Sequence, residues 1–141
     1  MSILSDSTGQ SLVARKRGWA DLDLALTLHP IRKDIIPLRD ISAVKNAVRN
    51  LLQTNFYERP FQSTTGANLR GLLFEPNDVI TRIAMREGIK EVLTQYEPRI
   101  HLQGLYIEET SQGNGFKITI AFRVKENSST QEVELILRRL R

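Results

Sequence analysis

The chain has 141 residues, a length that suits one domain built around one core. It is 40% apolar and 26% charged, ordinary values for a soluble globular fold, and no run of about eighteen apolar residues marks a membrane span. Cysteine is absent, which excludes disulfides and thiolate metal sites; the net charge of +4 comes from 20 basic against 16 acidic residues, too mild an excess to favour nucleic acid as the partner.

Residues 1 to 18 are polar, rich in Ser, Thr and Gly, and carry the basic run Arg15-Lys16-Arg17. No basic stretch followed by an apolar one opens the chain, so no secretory signal is expected. Residues 1–39 are expected to be an N-terminal arm and extended segment ahead of a domain at 40–141. Within the arm, Leu22, Leu24, Leu26 and Leu28 alternate with Asp21, Asp23, Ala25 and Thr27, the period of a half-buried strand. His29-Pro30 ends that pattern, and with Pro37 it makes 30–39 read as a loop. Asp40 suits an N-cap, and Ile41, Val44, Ala47, Val48, Leu51 and Leu52 then predict a helix over 41–54.

Residues 55–77 form a long connection, with a short helical turn expected within 67–73. Its apolar residues Phe56, Phe61, Leu69, Leu72, Leu73 and Phe74 are expected, for the most part, to plug the core. Asn77 or Asp78 caps a second helix over 78–95. Met85, Ile89, Val92, Leu93 and Tyr96 share one face of it, Ile80, Ile83 and Ala84 a rotated one, and Arg82, Arg86 and Lys90 a basic side. Pro98 stops this helix, because it lacks an N–H and disfavours helical geometry at Glu97. Glu97 and Arg99 flank the proline. They serve either as a local ion pair or as a fixed acceptor and guanidinium fork for a partner.

Strands follow. Ile100 and Leu102 share one parity, Leu105 and Ile107 the other, and Gly104 at the change predicts a bulge. Ser111-Gln112-Gly113-Asn114-Gly115 is a turn. Phe116, Ile118, Ile120, Phe122 and Val124 alternate strictly with polar or small residues, and after the loop Glu126–Thr130, Val133, Leu135 and Leu137 alternate with Glu132, Glu134 and Ile136. The acidic outer face of the last strand is placed to pair with the basic outer face of its neighbour. The expected class is α+β: two main helices packed on a three-stranded antiparallel β-meander, with an extended N-terminal arm. Glu132-Val133-Glu134-Leu135-Ile136-Leu137 is a candidate sheet edge, either blunted by its charges or open to a partner strand.

Little in the chain suggests catalysis. His29 and His101 lack a second ligand at metal spacing, and no phosphate-binding glycine loop or nucleophile elbow occurs. Glu58, Glu97 and Glu108 have no spacing that sets them on a common cleft. No metal, no cofactor and no enzymatic activity are expected.

Several of these stretches fall in an order found in one known family. Glu58-Arg59-Pro60-Phe61 follows the first helix, Gly71-Leu72-Leu73-Phe74-Glu75-Pro76-Asn77-Asp78 opens the second, and Tyr96-Glu97-Pro98-Arg99-Ile100 closes it before the meander. Over roughly residues 40–137 the chain resembles the baseplate wedge, or sheath-initiator, proteins of contractile-tailed phages and of related bacterial injection machines, including the type VI secretion baseplate. One departure is Gln62-Ser63-Thr64-Thr65 after Arg59-Pro60-Phe61, where the family turns back quickly. The resemblance implies a structural protein, six copies per baseplate, assembled in the host cytoplasm and resident in the virion tail. It implies that Glu97, Pro98 and Arg99 dock on the helical bundle of the wedge heterodimer. It implies that the strands at 116–125 and 131–137 join a mixed sheet with arms of the tail sheath protein, through Glu132, Val133, Glu134, Leu135, Ile136 and Leu137. Other baseplate or tube-proximal proteins are expected against residues 1–39. Some members of the family have been labelled lysozymes, so a peptidoglycan-degrading enzyme is the alternative.

Overall fold

The computed structural model describes residues 18–23, 25–110, 113–125 and 129–139. The expectations for Arg15-Lys16-Arg17, Leu24, Ser111-Gln112 and most of the loop after Val124 lie outside the described residues. The elements are β1 (Ala20–Leu22), β2 (Pro37–Arg39), α1 (Asp40–Gln53), α2 (Leu69–Leu72), α3 (Val79–Tyr96), β3 (Ile100–Glu109), β4 (Gly115–Val124) and β5 (Thr130–Arg138). This is an α+β fold, with α1 and α3 packed beside an antiparallel sheet of order β3-β4-β5 and β1-β2 forming a separate two-stranded ribbon.

The sheet follows from the alternation. Phe116, Ile118, Ile120, Phe122 and Val124 of β4 are all buried, as are Val133, Leu135 and Leu137 of β5. From the helices, Val44, Val48 and Leu52 of α1 and Met85, Ile89 and Leu93 of α3 complete the same core. The expected bulge is present as a register shift between Leu102 and Gly104. Gly104 has a second reason to be glycine: a Cβ there would lie 3.1 Å from the Tyr106 ring. On the outer face Lys117 Nζ meets Glu134 Oε1 at 2.9 Å, and that bond holds the lysine's pKa above its ordinary value.

Asp78 caps α3 as expected; its Oδ1 accepts from the Thr81 N–H at 2.8 Å. Those donors hold its carboxyl below the usual range, so this contribution is present above the unfolded pKa and lost as pH falls through the lowered folded value. Asp40 does not cap α1. Its φ is +51°, Arg39 is the capping residue and offers no side-chain bond, and the Asp40 N–H donates to the Trp19 carbonyl at 2.7 Å. The ribbon runs directly into the helix, so the backbone just before β1 takes the place of a cap.

The leucine alternation in the arm gives only three paired residues, Ala20–Leu22, and an isolated bridge between Leu28 and Ile35. Leu22, Leu26 and Leu28 stay exposed. The supposed loop at 30–39 ends instead in β2, where Pro37 takes the terminal position of a two-stranded ribbon that asks nothing of its missing N–H. In the long connection Leu69 and Leu73 are buried, but Phe56, Phe61 and Phe74 face water. Three of its non-glycine residues, Tyr57, Phe61 and Asn68, hold positive φ. Gly66, at φ +132°, packs against the end of α1, where a Cβ would meet the Thr54 carbonyl.

Phe122 has no exposed surface and lies at the centre of this core. Phe122→Ala is expected to lower the unfolding free energy by about 3–5 kcal/mol, measured by urea denaturation with the m-value unchanged.

Candidate partner-binding site

The chain must turn sharply between α3 and β3, and the backbone does so with a hydrogen-bonded turn. The Glu97 N–H makes the last helical bond to the Leu93 carbonyl at 3.1 Å, and the Ile100 N–H returns to the Glu97 carbonyl at 3.3 Å. Pro98 occupies the second position of that turn, where its fixed φ is pre-set. The Lys125 N–H donates to the Arg99 carbonyl at 2.9 Å, which ties the corner to the end of β4.

Across the proline the two side chains meet as a fork. Arg99 Nε donates to Glu97 Oε1 at 2.5 Å and Nη2 to Oε2 at 2.6 Å. Glu97 is only 4% exposed, whereas the Arg99 side chain keeps 32% of its surface in water. A buried carboxylate without a partner is costly, and the bidentate bond supplies that partner. The same bond, with the nearby charges of Glu97 and Asp21, raises the Arg99 pKa against the opposing effect of burial. Trp19, from the residues before β1, lies over the guanidinium at 5.7 Å from its ring centroid. The remaining guanidinium N–H groups make no hydrogen bond among the described residues.

Glu132 to Leu137 lie in β5, which among the described residues pairs with β4 alone and so forms one edge of the sheet. Glu97, Pro98 and Arg99 adjoin β3, the opposite edge. The structure thus brings the three corner residues together and the six strand residues together, as two surfaces separated by β4.

Three features escaped the sequence. Trp19 covers Arg99. Arg139 donates to the Leu73 carbonyl at 2.6 Å and the Glu75 carbonyl at 3.0 Å, joining the chain's end to the connection before α3. Glu58 and Glu97 do share a cleft, contrary to the expectation from spacing: both line a cavity of about 640 Å³, together with Asp21, Arg59 and Tyr96. The folding-back of residues 55–65 brings them there. Glu58 accepts from the Asn55 backbone and side chain at 2.9 and 2.6 Å, which holds its carboxyl below the usual range. Glu97 has both oxygens engaged by Arg99. Glu58, its carboxyl held low, is not set up as the protonated acid that glycoside cleavage requires.

The model of one family, described as baseplate wedge protein gp25, matches residues 39–129. The baseplate wedge protein gp25 of Enterobacteria phage T4 is 24% identical over 109 residues, covering 77% of this chain and 82% of that protein. A candidate tail lysozyme from Geobacter sulfurreducens has the same fold, with a TM-score of 0.63 at 20% identity over 70% of this chain and 89% of that one. A chain of the anti-feeding prophage baseplate gives 0.62 at 17% identity over 84% of each, and one of the postcontracted pyocin R2 baseplate 0.55 at 19% over 84% of this chain and 99% of that one. The family match contains the corner, whereas Trp19, β5 and Arg139 fall outside its limits.

Trp19 is the one tryptophan in the chain, so its fluorescence reports on the corner. Arg99→Ala is expected to shift its emission to the red while far-ultraviolet circular dichroism keeps its shape. An unchanged spectrum would show that the stacking does not hold in solution.

Proposed function

The chain belongs to the baseplate wedge protein gp25 family and is a structural component of contractile-tail baseplates; from that premise we propose that it docks on the wedge heterodimer and starts sheath assembly by strand addition, without enzymatic activity. The observation that carries the proposal is the edge at β5. Among the described residues its backbone is paired on one side only, its inner residues Val133, Leu135 and Leu137 are anchored in the core, and it is long enough to template a strand. An arm of the sheath protein added there would continue the ladder β3-β4-β5 into a neighbouring chain.

The corner is the second surface in this reading. Pro98 and the Glu97 fork fix the direction of Arg99, whose unused N–H groups and exposed third would meet acceptors on the heterodimer's helical bundle. Because the side chain is already ordered, little entropy is lost when it binds. Residues 1–39 form the arm in this scheme, reaching another baseplate or tube-proximal protein, and 40–141 the wedge domain. Six copies surround the tail, and assembly takes place in the host cytoplasm.

A peptidoglycan-cleaving enzyme is the second reading, favoured by the likeness in fold to the Geobacter sulfurreducens protein and by the cleft that Glu58 and Glu97 share. The hydrogen bonds that already engage both carboxylates speak against it. Clearing of a purified cell-wall suspension, abolished by Glu58→Gln, would reverse the order of the two.

Amide hydrogen exchange tests the first reading. On adding purified sheath protein, amides within 131–137 are expected to slow by about tenfold or more, and on adding the wedge heterodimer those of 96–100. Unchanged exchange in 131–137 at saturating sheath protein would overturn strand addition, and unchanged exchange at 96–100 would overturn docking through the corner.

A further inference from the structure

Four large apolar side chains leave the core in one short stretch. Phe74 is 72% exposed, Val79 68%, Ile80 75% and Ile83 55%. Phe74 lies in the connection to α3, and the other three occupy its first turns, with Val79 and Ile83 one turn apart on the same stripe. Exposed apolar clusters of this kind mark interaction surfaces.

Hydrogen bonds within the chain hold the backbone around this surface. Arg139 grips the carbonyls of Leu73 and Glu75, the residues on either side of Phe74, and the Asp78 cap fixes the first turn of α3. Beside this stretch, between α3 and β3, lies a slot of about 260 Å³ lined by Val79, Arg82, Ile83, Arg86 and Ile107. It is ample for one large apolar side chain, since a closed cavity of about 150 Å³ accepts benzene. Its charged lining is two guanidiniums one helical turn apart. Arg82 Nε donates to Asn77 Oδ1 at 3.3 Å, and neither arginine has a carboxylate partner among the described residues. Of the acids nearest in sequence, Asp78 is engaged by Thr81, and Glu87 lines a different hollow.

We propose that this slot receives an acidic amphipathic helix of another baseplate protein, lying along α3. One large apolar side chain enters the slot, and carboxylates one turn apart pair with Arg82 and Arg86. The apolar and cationic groups on α3 both repeat at i, i+4, and a partner helix is the element that offers both sets at that spacing. The proposal rests on membership of a baseplate but involves neither the Glu97–Arg99 corner nor the β5 edge.

The test places a benzoylphenylalanine photocrosslinker at position 83 of the full chain, expressed in the cells that make the particle, followed by purification of the tails. The expected result is one crosslink, mapped by mass spectrometry to an acidic helix of another tail protein. Arg82→Glu combined with Arg86→Glu should reduce its yield by about tenfold; circular dichroism and thermal unfolding check that this variant folds. A chain present in the tails without a crosslink, or crosslinked to a second copy of itself or to lipid, overturns the helix proposal and leaves the assembly reading standing. A crosslink insensitive to charge reversal also overturns it. A chain absent from the tails overturns both.

Discussion

The bidentate bond between Glu97 and Arg99 across Pro98 is the constraint around which this small fold is arranged. The helix must end where the proline stands, and the backbone must return toward the sheet within one turn. That geometry buries the carboxylate of Glu97, an arrangement that holds only if a cation stays beside it. Arg99 provides the cation, and its carbonyl takes the Lys125 N–H, so the same residue neutralises the helix end and closes the far end of β4. The register of the sheet against the helices therefore starts from this turn. Trp19 then draws the segment before β1 onto the outer side of the guanidinium.

From that corner the rest of the design follows by covering one side of the sheet and leaving the other open. The inner residues of β4 and β5 bury against α1 and α3, while the outer face carries the Lys117–Glu134 pair and the exposed Tyr106 and Ile136. An exposed pair of this kind adds little stability. It keeps the outer face soluble and discourages casual association. A three-stranded sheet closes neither of its edges, and the exposed aromatics of the 55–65 connection and the apolar start of α3 add further unpartnered surface. Exposed apolar surfaces of this kind mark sites of interaction. Family membership supplies the assembly, a contractile-tail baseplate, and the fold shared with baseplate chains of an anti-feeding prophage and a pyocin agrees with it.

Local rules made much of this legible from residues alone. Strict alternation placed β4, the Asp78 cap and the proline bounded α3 to within a residue at each end, and a glycine at a parity change marked the bulge in β3. The corner was legible as a motif but not as a bond. Sequence left open whether Glu97 and Arg99 face each other or a partner, and only the turn geometry shows them joined. What escaped was non-local. Leu22, Leu26 and Leu28 carry a strand's period, but among the described residues they stay exposed. Asp40 has the chemistry of a cap, but it stands at φ +51° as the first residue of α1 rather than ahead of it. Phe61 and Phe74 look like core residues by composition, and the turns that carry them direct them outward. The contacts of Arg139 with Leu73 and Glu75, and of Trp19 with Arg99, join segments far apart in the chain, and no periodicity reports such pairs.

A double-mutant cycle on Glu97 and Arg99 tests the central claim most directly, with urea unfolding of the parent chain, Glu97→Gln, Arg99→Ala and the double variant. If the buried carboxylate depends on the guanidinium, Arg99→Ala alone should cost more than the same change made in the Glu97→Gln background, with a coupling of about 1–3 kcal/mol, reduced from that of a fully buried pair because part of the arginine lies in water. Costs that add to within about 0.3 kcal/mol would mean that the two residues act independently, and the corner would not be the constraint that organises the fold.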